Sequence, residues 1–232
     1  MPEHKIGTRE EWMAARQELA KLEAELGEKN EEIKRKRLDL PWVPVEKEYV
    51  FDTEGGKKTL AELFDGRSQL LAYNIMFGPD YTLGACPGCT SLADGLDGGL
   101  VHLNHRDVTM IAVSRASFAK IEAYRKRMDW DFKWVSSADT DFSFDFHASS
   151  RAEDLKKGRV FYNFAERPET SSEREGVSVF YKDPSGRLFH TYSTYARGID
   201  LMNTAYNYLD LTPKGRDENG RGQFWVRRHD EY

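Results

Sequence analysis

The two cysteines of this 232-residue chain stand three positions apart, in Cys86-Pro87-Gly88-Cys89. Two thiols at that spacing can exchange with a disulfide, because the second sulfur reaches a mixed disulfide formed on the first. The thiolate is the attacking species, and an ordinary thiol of pKa ~8.5 is only about 3% ionised at neutral pH. A helix starting at the motif would help. Its N-terminus stabilises an anion by ~0.3–1 kcal/mol, up to ~2 in partly buried sites, and ~2 kcal/mol is about 1.5 pKa units. By this logic Cys86, at the exposed end, attacks, and Cys89, inside the first turn, resolves. Pro87 would sit where its missing N–H costs little. No further cysteine occurs, so the disulfide framework of a small secreted scaffold is excluded, and redox chemistry or metal binding remains.

Other constellations compete. Cys86-x2-Cys89-x12-His102-x2-His105 falls one residue short of a two-cysteine, two-histidine zinc spacing, with Asp94 and Asp107 nearby as supporting acids. This makes zinc the alternative cofactor, against a redox-active disulfide that needs none. A peroxidase of the peroxiredoxin type wants Pro seven and Thr three residues before its reactive cysteine. Pro79 meets the first demand; the second falls on Leu83, with Thr82 one place away. Arg115, after a strand, is the candidate cation for such a site. The hydroxyl-rich run His190 to Arg197 offers Tyr192 and Tyr195 as pocket-lining candidates beside Arg115. Asp139, Asp141, Asp145 and His147 form a polar cluster, but Phe142, Phe144 and Phe146 alternate through it as in a half-buried strand.

The elements that must position the dithiol read as follows. Thr8-Arg9-Glu10-Glu11 is a capping box, and Trp12, Ala15, Leu19, Leu22, Leu26 and Ile33 recur at helical steps up to a stop before Pro41. That narrow stripe expects one cover, the body of its own chain or a twin subunit in a homodimer. Residues 48–52 read as a strand, 58–64 as a short helix, and 69–77 as a strand buried on both faces. Residues 90–104 start helically until Gly95, Gly98 and Gly99 interrupt. A strand at 108–113, a helix at 117–128 and a strand at 132–135 follow. The segments 177–182 and 188–192 flank the turn Asp183-Pro184-Ser185-Gly186 as a hairpin, and 199–209 reads as a closing helix. The span 136–176 is an insertion without a clear pattern, and the polar tail from 212 is expected to wrap the surface. Buried strands alternating with helices give an α/β sandwich with parallel central strands.

Composition narrows the class. Hydrophobic residues make up 39% and charged residues 31%, enough for a real core. With 34 basic and 39 acidic residues the net charge is −5, which disfavours nucleic acid as a partner. The run Lys34-Arg35-Lys36-Arg37 reads as a helix end whose cations suit the macrodipole. No window approaches the ~18 apolar residues of a membrane span, and the first residues lack the apolar core of a secretory signal, so the expected compartment is cytoplasmic.

The segments LPWVPVEKEYVF, LFDGRSQLLAYNIMFGPD, ACPGC, RDVTMIAVSRA, KIEAYRKRM, WVSS, VSVFYKD, FHTYSTYARGID and YNYLDLTPKGRDE together resemble a bacterial family. It is catalogued as domain of unknown function 899 and described as predicted dithiol–disulfide oxidoreductases. The resemblance spans essentially the whole chain. It implies a thioredoxin-like three-layer α/β/α sandwich over residues 41–211, with an N-terminal helical extension (1–40) and a C-terminal tail (212–232). It also implies Cys86 and Cys89 as the redox pair but supplies no substrate; the dithiol chemistry itself expects an oxidised protein or a small-molecule thiol or disulfide as partner. Two departures from ordinary thioredoxins stand out. The strand facing the cysteines follows Glu175-Gly176 instead of a proline, and Asp80, at the offset of the usual buried acid, falls in a loop after Gly78-Pro79.

Overall fold

The computed structural model describes residues 4–232. The chain divides between Pro41 and Trp42 into two compact units. The first is built on α1 (Arg9–Leu38). The Thr8 hydroxyl accepts the Glu11 N–H at 3.2 Å and the Glu11 carboxylate accepts the Thr8 N–H at 2.9 Å, the reciprocal cap expected from the sequence. Acidic Glu10 and Glu11 open the helix and Arg35, Lys36 and Arg37 close it, and it passes Gly27 unbroken. None of its residues is buried, so the stripe of Trp12, Leu19, Leu22 and Leu26 is exposed.

The second unit holds an eight-stranded sheet. Its strands are β1 (Val43–Pro44), β2 (Val50–Thr53), β3 (Gly56–Thr59), β4 (Gln69–Asn74), β5 (Val108–Ser114), β6 (Lys133–Ser136), β9 (Gly176–Lys182) and β10 (Leu188–Tyr195). The spatial order is β1-β10-β9-β4-β5-β6-β2-β3. The neighbours β4, β5 and β6 run parallel, while β9 lies antiparallel on the other side of β4. A separate hairpin pairs β7 (Arg159–Tyr162) with β8 (Ala165–Pro168). Helices α2 (Pro87–Ala93), α3 (Leu100–His105) and α4 (Phe118–Arg127) lie between the parallel strands, and α5 (Phe142–Asp145), α6 (Ala152–Lys156) and α7 (Thr204–Leu209) come later. A strand–helix–strand unit carrying the dithiol, followed by an antiparallel hairpin on the opposite side of the first strand, is a thioredoxin-like α/β arrangement.

Period-two alternation makes the layers. Tyr73, Met110, Ala112, Trp134 and Val177 point to one face, where they pack with Cys89, Leu92, Ile121 and Met128. Leu70, Ala72, Ile111, Val113, Val135 and Phe180 point to the other, against Phe51, Phe64, Phe142 and Phe146. The second face is covered by short pieces: the β2–β3 hairpin, a 3-10 turn at Glu62–Phe64 and α5.

Four local expectations change. Residues 58–64 are not a helix. Gly56 turns the chain at φ +94, so 56–59 pairs with β2, and the Glu62 carboxylate caps only a short turn by accepting the Thr59 N–H at 2.7 Å. The Phe alternation at 142–146 is not a strand. Phe142 and Phe146, four apart, share the inner face of a helical turn, while the Phe144 ring turns outward between the guanidinium groups of Arg115 and Arg151. The closing helix is broken. Residues 196–202 form 3-10 turns, and Asn203 restarts the chain as the cap of α7, accepting the Tyr206 N–H at 3.2 Å. The insertion holds α5, α6 and the β7–β8 hairpin, tied back by a bridge between Ser149 and Glu173.

Gly84, just before the cysteines, has φ +112, and a Cβ there would stand 2.1 Å from the Tyr124 ring. Gly84→Ala should therefore combine backbone strain with overpacking and cost about 2–5 kcal/mol in a urea unfolding experiment. A loss below about 0.5 kcal/mol, the range of a neutral surface change, would contradict this packing.

Candidate active site

β4 ends at Asn74, and the loop from Ile75 to Ala85 folds back to just past that end, where the Cys86 N–H donates to the Met76 carbonyl at 3.0 Å. Cys86 is the cap residue of α2, with Pro87 at its first helical position. Its carbonyl accepts the Thr90 N–H at 2.9 Å and the Thr90 hydroxyl at 3.1 Å. The Thr90 hydroxyl also meets the Tyr124 hydroxyl at 2.8 Å, joining α2 to α4.

Both cysteines are free thiols; Cys86 is partly exposed and Cys89 buried. Hydrogen bonding from the Cys89 thiol, assisted by the backbone N–H groups of Cys89 and Gly88, pulls Cys86 down to about 6 against the opposing effect of burial. The same contact, together with burial, pushes Cys89 well above the usual thiol value. The helix macrodipole is not the main influence on Cys86. In the structure the larger influence is the neighbouring thiol, with the first-turn N–H groups second. The two shifts run in opposite directions, down at the outer sulfur and up at the inner one.

Two groups at the dithiol were missed from the sequence. Tyr73, on β4, has a fully buried ring and hydroxyl, and that hydroxyl has no oxygen or nitrogen partner. Burial, and after it the neighbouring Cys89 thiol, holds the phenol well above its usual range. Glu175, just before β9, places a negative charge that both sulfurs feel. Its carboxylate accepts the Tyr162 hydroxyl at 3.2 Å. Asp80 lies exposed in the loop instead, so the strand before the motif brings a phenol to the cysteines where an acid was sought.

A cavity of about 510 Å³ opens at the dithiol. Tyr73, Met76, Cys86 and Cys89 line it on one side, and Arg174, Glu175 and residues of the 196–206 segment on another. The third wall comes from the C-terminal tail, through Glu218, Gly222 and Gln223. The tail does more than wrap the surface.

Arg115, Tyr192 and Tyr195, the sequence candidates for substrate contact, do not line this cavity. Arg115 pairs with buried Glu173 at 2.7 Å. Tyr195 is buried and donates its hydroxyl to the Phe146 carbonyl at 2.9 Å, and Tyr192 lies on β10. Thr82 and Leu83 are exposed in the loop. His102 and His105 lie on α3, and among the described residues no group of three or more Cys, His, Asp or Glu side chains gathers as a metal site. Asp141 and Asp145 instead share Lys47, at 2.8 and 2.7 Å.

The chain belongs to the family described as bacterial proteins of unknown function (DUF899), whose model matches residues 1–232. No curated protein matches the sequence. Among solved structures, similarity is found to a cysteine-to-serine variant of Xanthomonas campestris peroxiredoxin Q, at 15% identity and TM-score 0.46, over 70% of this chain and 90% of that one. Peroxidoxin BcpB from Mycobacterium tuberculosis is similar at 11% identity and TM-score 0.44, over 70% and 89%. A hypothetical protein from Sinorhizobium meliloti is similar at 14% identity and TM-score 0.40, over 64% and 68%. Among the described residues no helix is long and apolar enough to cross a membrane.

The rate of alkylation at Cys86 follows its thiolate fraction, so it should rise with pH through a midpoint near 6 and level off above it, with Cys89 unmodified at neutral pH. Peptide mass mapping after brief iodoacetamide treatment reads this directly. First modification at Cys89, or a Cys86 midpoint at the ordinary thiol value, would reverse the assignment.

Proposed function

We propose that the protein is a thiol–disulfide oxidoreductase in which Cys86 attacks and Cys89 resolves. The observation that carries this reading is the placement of a partly exposed Cys86 at the start of α2 and a buried Cys89 in its first turn, both lining one cavity. The Cys86 thiolate attacks one sulfur of a disulfide, forming a mixed disulfide and releasing the other sulfur as a thiolate. Cys89 then gives up its proton and attacks the Cys86 sulfur. The second substrate thiolate leaves, and a Cys86–Cys89 disulfide remains. A small dithiol reductant reverses these steps and returns the protein to its starting state.

Burial keeps Cys89 protonated until the second step, so that step needs help. Of the carboxylates lining the cavity, Glu175 is the one whose charge both sulfurs feel and is assigned the proton, and the Tyr73 hydroxyl donates a hydrogen bond to the sulfur as charge develops on it. A hydrogen bond to a charged group contributes about 1.5–3 kcal/mol, so Tyr73→Phe should slow resolution about 10–100-fold. Attack by Cys86 should keep its rate. Because the lost hydroxyl has no oxygen or nitrogen partner, the variant should be at least as stable as the parent. Equal resolution rates in stopped-flow single turnover would reduce Tyr73 to packing.

A second reading, a thiol peroxidase, uses the same first nucleophile. The Cys86 thiolate would take the terminal oxygen of a hydroperoxide to give a sulfenic acid and an alkoxide. Cys89 would then condense with the sulfenic acid, releasing water. The Arg174 guanidinium, which lines the cavity, favours this reading as a cation for the departing oxygen, although it is already engaged by Glu169.

Trapping separates the roles. Cys89→Ser should accumulate covalent adducts on Cys86 when offered disulfides, and Cys86→Ser should accumulate almost none. Equal trapping by both variants would contradict the order of attack. Faster oxidation of the dithiol by hydroperoxide than by any disulfide would transfer the assignment to the peroxidase.

A further inference from the structure

The tail from Thr212 to Tyr232 is anchored around the cysteines rather than draped over the surface. Arg228, nearly buried, donates from Nη2 to the Ala85 carbonyl at 3.0 Å, one residue before Cys86. Arg127 at the end of α4 grips Asp230 through two bonds of 2.7 and 2.9 Å and Glu231 through a third of 3.0 Å. His229 meets Asp94, at the end of α2, at 2.7 Å. Between these anchors and α7 the Trp225 indole donates to Glu218 at 3.0 Å, and Glu218 also accepts the Tyr206 hydroxyl. The strap passes so close to the motif that a Cβ on Gly88 would stand 2.1 Å from Gln223 Oε1.

This has a consequence for what reaches Cys86. A disulfide between two protein cysteines holds their Cα atoms about 4.4–6.8 Å apart, so a protein substrate must lay its own chain along the residues flanking the attacking cysteine. Here one flank is occupied by Gly222 and Gln223, and the space in front of the sulfur is a cavity of about 510 Å³. That volume lies within the ~300–1,000 Å³ of small-molecule sites. Its charged lining is balanced, with Arg174, Arg197 and Arg216 set against Glu175, Asp200 and Glu218. Such a lining suits a polar substrate carrying both signs better than an anion or an apolar chain.

We propose that the oxidised substrate of Cys86 is a low-molecular-mass polar disulfide, and that the C-terminal strap keeps folded proteins from the dithiol. This rests on the oxidoreductase reading and narrows it to a substrate class. The strap is a selectivity element: Arg127 and Arg228 hold it in place and take no part in exchange.

The test is a single-turnover oxidation of the reduced full-length protein by cystine or by insulin, at equal disulfide concentration, with formation of the Cys86–Cys89 disulfide read by mass. Each rate is divided by the rate of dithiothreitol on the same disulfide, which removes intrinsic reactivity. The normalised cystine rate should exceed the insulin rate at least tenfold. Arg127→Gln, which loosens an exposed anchor with little risk to folding, and Arg228→Ala, which frees the strap beside Ala85, should each raise the insulin-to-cystine ratio fivefold or more. A normalised insulin rate equal to that of cystine in the intact protein would overturn the proposal. So would an unchanged ratio in Arg127→Gln, the variant expected to fold. Oxidation by neither disulfide, with Cys86 still alkylated readily, would instead strike the oxidoreductase reading and the inference resting on it.

Discussion

The backbone of Cys86 is held from both sides, and the site depends on that grip. Its N–H is committed to the Met76 carbonyl just past the end of the central strand, and its carbonyl to the amide and hydroxyl of Thr90 one helical turn on. These bonds fix where α2 begins relative to β4, and hence which N–H groups face the sulfur. Thr90 passes the constraint to Tyr124 on α4, whose ring closes over Gly84 in the approach loop. A thiol on a free loop would have no such preorganised donors, and its ionisation would stay near that of an ordinary cysteine.

The second determinant is the difference in burial between the two sulfurs. Cys89 sits in the core on the Tyr73 face of the sheet, where a charged sulfur is costly, and Cys86 stands at its margin beside the cavity. Each thiol sharpens the other: the buried one donates to the outer, and the outer, once charged, opposes ionisation of the inner. Such a pair titrates as a unit, and the proposed order of attack by Cys86 and resolution by Cys89 rests on that asymmetry. Tyr73 and Glu175 line the same cavity as Cys89, where the proposed exchange places the second ionisation.

Much of this was legible in the sequence, for definite reasons. The apolar runs at 69–77 and 108–113 stated their burial outright, though the first strand ends at Asn74; the Thr8–Glu11 box stated where α1 starts, and Asp183 to Gly186 stated a hairpin. The Cys86–Cys89 pair stood out by its spacing, and the fold brings both sulfurs to one cavity. What failed was pattern that carries two meanings. Phe142, Phe144 and Phe146 alternate with period two, yet Phe142 and Phe146 also fall one helical turn apart, and tertiary packing chose the helix. Arg115, Tyr192 and Tyr195 were reasonable pocket residues by type, but strand register turned Tyr195 into the core and Glu173 captured Arg115. Tyr73 could have been found: it is the hydroxyl-bearing member of the apolar strand on the same face as Leu71, toward the motif end. The strap was harder to foresee. Its aromatic and arginine content, in Phe224-Trp225-Val226-Arg227-Arg228, is unusual for a loose tail, but only the fold shows that Arg228 meets Ala85.

A redox titration of the purified protein in glutathione buffers, with each species identified by mass, tests the central claim most directly. The account predicts one reversible two-electron transition between the free dithiol and an intramolecular Cys86–Cys89 disulfide, with no stable glutathione adduct, because Cys89 displaces it. Persistent glutathionylation of Cys86, or irreversible oxidation without an intramolecular disulfide, would contradict the pairing on which the account rests.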